Sequence, residues 1–207
     1  MLTALIDGEN RRATPNEKGS CISCDAPMIP KCGQIIIWHW AHRSNSECEY
    51  KPETEWHLEW KDRLAALGCD IEVRMRRDGG HHIADVVAPK GAIVELQATS
   101  ISLDDAQDRE SFYGRRLIWL FKGDDWHKRF RFGPRGGFWW KHGSKILCHL
   151  QQPVWIDFGS TWQRYSSYPV WQVRLSLTPL DEGGERVIGY PVNKFSHREF
   201  AQMVSTL

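Results

Sequence analysis

Two short apolar runs around a turn constrain this chain more than any other feature. Ile83–Ala88 and Ala92–Leu96 are rich in β-branched residues, and Pro89-Lys90-Gly91 between them is turn chemistry. The segment therefore reads as a β-hairpin. Each run holds one acid in apolar surroundings, Asp85 and Glu95, and Gln97 follows two residues after Glu95. Side chains alternate faces along a strand, so Glu95 and Gln97 share one. A register that sets Asp85 opposite them would gather two carboxylates and an amide. Neighbouring carboxylates both ionise cheaply only with a cation between them, and oxygen ligands on a rigid sheet suit Mg²⁺ or Mn²⁺. Two solvent-facing strand acids are the plain alternative.

The N-terminal part carries a different ligand chemistry. Cys21-Ile22-Ser23-Cys24 is followed, after fourteen intervening residues, by His39-Trp40-Ala41-His42. Two close pairs separated by a short hairpin make four tetrahedral ligands for Zn²⁺. So small a module has too little apolar surface to fold alone, and a metal would supply the energy. Cys32 and Cys48 could replace one ligand, and Cys48, in a polar segment just past His42, is the better placed. Six cysteines could instead form disulfides, but the spacing argues for metal.

Composition narrows the classes. A chain of 207 residues can hold one sizeable domain plus a small module. A formal net charge of +1 gives no overall basic field, so any groove for nucleic acid must be local. The N-terminus has no apolar run long enough for a signal peptide or membrane anchor, and a cytoplasmic protein without membrane contact is expected.

Between these features, Leu2–Ile6 reads as a strand with an Asp7-Gly8 turn, and Ile35–Trp38 as another strand. Glu53 to Gly68 reads as a helix with Trp56, Trp60, Leu64 and Leu67 on its buried stripe. Glu53, His57 and Lys61 form a second line at i+4 spacing. Cys69–Arg76 alternates as a strand, ending in a turn at Arg77-Asp78-Gly79-Gly80. A helix capped by Ser102 and a buried strand Leu117–Phe121 follow Gln97. Beyond Phe121, Lys128, Arg129, Arg131, Arg135, Lys141 and Lys145 interleave with aromatic residues, as nucleic-acid-binding segments and exposed hairpins both do. Lys145–Leu150, Val154–Phe158 and Val170–Leu177 read as strands, and Phe195–Leu207 as a helix with a Ser196/Glu199 capping box.

Asp85, a turn, then Glu95-Leu96-Gln97 resembles the PD-(D/E)XK nuclease superfamily, with Gln97 where lysine is usual. Cys-x-x-Cys, Lys31-x-Gly33 and His39-Trp40-Ala41-His42 resemble the N-terminal zinc motif of the CoiA-like competence proteins. So do Glu53-Thr54-Glu55-Trp56-His57 with Lys61, Glu95-x-Gln97-x-x-Ser100, and Arg109-Glu110-x-x-Tyr113. These motifs span Cys21 to Phe121 in order.

The resemblance implies an α+β fold: a restriction-endonuclease-like αβββαβ core at 51–122, a zinc-finger-like module at 1–50, and a β-rich extension at 123–207. It also implies a metal-dependent nuclease that hydrolyses phosphodiester bonds in single- or double-stranded DNA. Asp85 and Glu95 would hold Mg²⁺ or Mn²⁺, with a backbone carbonyl near Leu96. An acid of the first helix completes the shell: Glu53 shares a face with His57, while the motif match favours Glu55, which is the expectation taken. His57 would orient water or contact phosphate, Lys61 or Arg109 would offset charge, and Gln97 would donate a hydrogen bond. The alternatives are a DNA-binding or DNA-processing accessory protein that does not cleave, and a zinc-stabilised protein-interaction module. A homo-oligomer or a protein partner stays open.

Overall fold

The computed structural model describes residues 1–43, 48, 53–77, 80–159, 167–180 and 184–207. The expected turn at Arg77–Gly80 includes Asp78 and Gly79, which lie outside the described residues.

The first sheet contains β1 (Thr3–Ile6), β2 (Glu9–Arg12), β3 (Gly19–Ser20), β4 (Pro27–Lys31) and β5 (His39–His42), in the order β2-β1-β3-β4-β5. Asp7 and Gly8, both at positive φ (52° and 82°), link β1 to β2, and Ile6 pairs with Glu9. That is the two-residue hairpin turn an Asp-Gly pair favours. Ile35–Trp38 is not a strand. It forms a bend with Ile35 93% exposed, because no neighbour pairs with it and the strands fall on either side.

The second sheet is preceded by helix α1 (Glu55–Ala65) and contains β6 (Asp70–Arg77), β7 (Gly80–Val87) and β8 (Ile93–Gln97). Helix α2 (Leu103–Tyr113) then leads to β9 (Leu117–Lys122). The chain adds β10 (Phe130–Phe132), β11 (Phe138–Trp140), β12 (Val154–Asp157), β13 (Val170–Pro179), β14 (Glu185–Phe195) and helix α3 (His197–Ser205). The nine strands run β10-β11-β14-β13-β12-β9-β8-β7-β6. β9 pairs in parallel with both β8 and β12, and every other pair is antiparallel. The order α1, β6, β7, β8, α2, β9 is the expected αβββαβ, and the strands after Lys122 extend the same sheet. Lys145–Cys148 is a 3-10 turn rather than the expected strand, with Leu147 turned into the core.

Around its middle strands both faces of the sheet are covered. β9 shows this directly: Leu117, Trp119 and Phe121 enter one core with Ala106 and Tyr113 of α2. Ile118 and Leu120 enter another with Trp56, Trp60 and Leu64 of α1 and Phe200 and Ala201 of α3. A continuous apolar run is what a strand buried on both faces requires. The α1 stripe stops at Leu64, and Leu67 is 40% exposed. Among the described residues, no helix is long and apolar enough to cross a membrane.

Candidate metal centre and candidate active site

The cysteine knuckle leaves β3 in a tight turn. Cys21 N donates to Ala26 O at 2.9 Å, Asp25 N donates to Cys21 O at 3.0 Å, and Asp25 takes φ 58°. This brings both thiols to the end of β5. The ligand atoms of Cys21, Cys24, His42 and Cys48 all lie within 4.8 Å of one another. Cys21 Sγ is 3.9 Å from Cys48 Sγ, and Cys24 Sγ is 3.4 Å from His42 Nε2. Tetrahedral zinc needs ligand atoms about 3–4 Å apart, so the donor set fits Zn²⁺. Burial pushes the Cys21 thiol up to about 11, and a bound cation would favour its thiolate.

One predicted ligand is corrected. His39 is not in the cluster; its Nδ1 donates to Ile37 O at 2.9 Å. His39 and His42 stand three apart on one strand, so alternation sends them to opposite faces. Cys48 takes the fourth place.

The central hairpin closes as expected: Gly91 N donates to Ala88 O at 2.8 Å, with Gly91 at φ 91°. Its strands then part. β7 and β8 are paired only at Val86–Val94 and Val87–Ile93, and the ladder stops where Asp85 and Glu95 stand. Asp85 Oδ2 accepts from Leu96 N at 2.9 Å, satisfying a donor the ladder has released. On the other side of β7, the register passes from Ile71–Val86 to Val73–Ala84, leaving Glu72 and Asp85 out. Glu72 sits there at φ 54°, a strained backbone for a non-glycine residue.

A buried lysine occupies this gap. Lys61 is 0% exposed, and its Nζ reaches Asp85 Oδ1 at 2.9 Å, Glu72 Oε1 at 3.3 Å, and Glu53. The Glu72 carboxylate also accepts from Leu2 N and Thr3 N, each at 2.7 Å, and from the Thr3 hydroxyl. It thus ties the first sheet to the second. Glu53 Oε2 lies 3.0 Å from the Met1 amino group. A buried ammonium is tolerable only when paired and hydrogen-bonded in this way.

Glu95 lies on the α2 side, paired with Arg109. Burial pushes its carboxyl up to about 7; Arg109 works against this and Asp85 adds to it. Glu95 Oε1 is buried and, like Tyr113 Oη beside it, makes no hydrogen bond of good geometry among the described residues. His57 clamps the start of α1 to β8. Its Nε2 donates to Leu96 O at 3.0 Å, and its Nδ1 accepts from the Thr54 hydroxyl at 2.9 Å. Burial lowers its pKa and keeps the imidazole neutral. The Leu96 carbonyl expected at the metal is therefore already bonded. Gln97 Nε2 donates to Thr99 O at 2.9 Å.

The helix acid beside Asp85 is Glu53. Glu55 is exposed and lines a separate cavity of about 400 Å³ with Glu59, Arg63, Lys122 and His197. Behind that cavity the buried Asp157 carboxylate accepts from Trp56 Nε1 at 2.8 Å, Trp60 Nε1 at 2.9 Å, Gly159 N at 2.9 Å and His197 Nε2 at 2.8 Å. Burial would raise this carboxyl, but bonds from His197 and Trp56 hold it below the usual range.

Three carboxylates around one ion, as expected from the sequence, are not what these residues form. The Lys61 ammonium stands among Glu53, Glu72 and Asp85, while Glu95 turns to Arg109. Among the described residues, the Cys/His set alone brings three or more such ligands close enough to share an ion. The line Glu53, His57, Lys61 signalled part of this cluster in advance. Glu72 gave no signal, since it reads as an ordinary outward acid of an alternating strand.

Comparison with known proteins places one segment. No curated protein and no solved structure matches the chain. Residues 7–51 match the family model for the N-terminal domain of the competence protein CoiA. The segment that carries the Cys/His cluster is therefore similar to that domain.

Proposed function

We propose that this chain is a metal-dependent nuclease acting on DNA, with a CoiA-like zinc module and a PD-(D/E)XK-like core. One observation carries the reading: β7 and β8 separate where Asp85 and Glu95 stand, inside an αβββαβ order with β8 and β9 parallel. The match of residues 7–51 to a competence-protein domain supports a setting in DNA handling.

The donors suit a hard cation. Mg²⁺ often binds through one or two carboxylates and keeps several waters, and Glu95 Oε1 is buried beside Tyr113 without a hydrogen bond of good geometry among the described residues. Asp85 and Glu95 would hold Mg²⁺ or Mn²⁺. Such an ion, when bound, polarises the scissile phosphate and lowers the pKa of its water. Lys61 beside Asp85 supplies the positive charge that Gln97 lacks, and Arg109 supplies another beside Glu95. His57 positions β8 through the Leu96 carbonyl.

A second reading, a DNA-binding accessory protein that does not cut, is favoured by another observation. Lys61 and Arg109 already neutralise Asp85 and Glu95, and Gln97 is turned to a backbone carbonyl. Plasmid and single-stranded DNA incubated with Mg²⁺ or Mn²⁺ separate the two. Cutting that disappears in Asp85→Ala and Glu95→Ala while DNA binding persists supports the nuclease; binding without cutting in the unaltered protein rejects it.

A further inference from the structure

We infer that the outer face of β10, β11, β14 and β13 is a binding platform for single-stranded nucleic acid. It goes beyond the hydrolytic reading, because it lies elsewhere on the molecule. Between β8 and β11 stand β9, β12, β13 and β14. Five strand spacings amount to about 24 Å.

The strand register defines the face. Phe138 and Trp140 of β11, Val187 of β14, and Val173, Leu175 and Leu177 of β13 point into the core or pack against it. The residues between them point outward. Arg131, Trp139, Ile188 and Ser176 form one row across the four strands, and Tyr190 with Arg174 forms part of the next. Arg186 pairs with Thr178 one row to the other side. Trp139 is 40% exposed and Tyr190 54%, and Arg131, Arg174 and Arg186 are exposed. Large rings left in water on a sheet face need a reason.

Two observations say what covers them. The first is charge. Residues 126–156 contain six Lys and Arg and no Asp or Glu, in a chain whose net charge is only +1; of the six, Lys128 and Lys145 pair with Asp125 and Glu185 outside that stretch. Among the described residues, no ion pair involves Arg131, Arg174 or Arg186. Basic charge kept free of carboxylates suits a polyanion.

The second is ring geometry. A Cβ on Gly137 would lie 2.7 Å from Tyr190 Cε1, so this glycine lets the Tyr190 ring lie against the chain. Tyr190 and Trp139 are diagonal neighbours on adjacent strands, about 7–8 Å apart. Two rings at that spacing, flanked by arginines, offer stacking to successive unpaired bases and cations to the phosphates between them. A duplex keeps its base faces covered and cannot use the rings.

The test is fluorescence anisotropy of a labelled oligo(dT) strand without added divalent cation. It reads binding alone, so failure to cut DNA at Asp85 and Glu95 leaves it untouched. Trp139→Ala and Tyr190→Ala should each weaken binding about tenfold. Trp139→Phe and Tyr190→Phe should retain most of it, which separates stacking from folding. Arg174→Ala and Arg186→Ala should each lower the slope of log K against log salt by about 0.7. Equal binding of oligo(rU) also supports a platform for unpaired strands. The inference is overturned if the two alanine variants bind like the unaltered protein, if the phenylalanine variants lose as much as the alanine ones, or if duplex DNA binds as tightly as the single strand.

Discussion

The molecule holds two polar centres that solve the same problem in opposite ways. At the end of the first sheet, the ligand atoms of Cys21, Cys24, His42 and Cys48 converge to within 4.8 Å of one another. In the gap between β6, β7 and α1, Glu53, Glu72 and Asp85 converge on Lys61. The thiol cluster depends on a soft cation from solution. The carboxylate cluster carries its own ammonium, on a helix that folds with it. The first centre should therefore collapse without metal, whereas the second should fold without it and, under the nuclease reading, need it only for cutting.

The largest expected effect tests the first half of that contrast. Structural zinc contributes about 10–16 kcal/mol of binding free energy in small zinc modules. Cys24→Ser and Cys48→Ser should each purify with far less than one zinc per chain and with the first sheet protease-sensitive. His39→Ala should keep its zinc. Zinc lost in His39→Ala and kept in Cys48→Ser would break the ligand assignment.

Lys61→Ala comes next. It leaves buried carboxylates without their ammonium, which costs about 3–5 kcal/mol in such settings. Arg12 with Asp62 is the control: the pair is about as close (2.5 Å), but both side chains are nearly half exposed. Arg12→Ala should cost less than about 1 kcal/mol. Urea unfolding reads both, and similar losses would show that Lys61 is no more than another ion pair.

Under the nuclease reading, Glu53→Gln should reduce Mn²⁺-dependent cutting by about a hundredfold or more, an effect of about 2.7 kcal/mol. Glu55→Gln should stay within about twofold, because Glu55 faces the cavity beside Asp157 rather than Asp85. Initial rates on plasmid decide the point, and the reverse ranking would restore Glu55.

These contrasts also mark how far the sequence was legible. Spacing along one element carried well. The αβββαβ order, the Pro89-Lys90-Gly91 turn, and the Trp56–Trp60–Leu64 stripe each follow from short-range periodicity or turn chemistry. The Ser196/Glu199 capping box, too, was readable locally. Strand parity should have excluded His39, since a His-x-x-His pair on a strand cannot share a face. The apolar run Ile35–Trp38 misled because hydrophobicity without a pairing partner does not make a strand. Glu72 was beyond reach: its role depends on a left-handed backbone and on Leu2, Thr3 and Lys61, contacts that no local pattern encodes.

The last effect concerns Glu95, whose partner Arg109 is a third exposed while the carboxylate is not. Its carboxyl is pushed up to about 7 from a reference of 4.5, burial outweighing Arg109. Between these two values the folded chain holds a proton that the unfolded chain has released. Stability must then fall as pH rises from about 4.5 to about 7 and level off above it. Glu95→Gln has no such titration. The stability of this variant relative to the unaltered protein should therefore rise through that window by at most about 1.4 kcal/mol per pH unit, then stay constant. Taking the difference cancels any loss of zinc at low pH that both proteins share. A flat difference between pH 5 and 7 would mean that Arg109 keeps Glu95 ionised throughout. The Lys61 cluster and the Glu95–Arg109 pair would then both be closed ion pairs, with no carboxylate left poised to exchange a proton for a divalent ion.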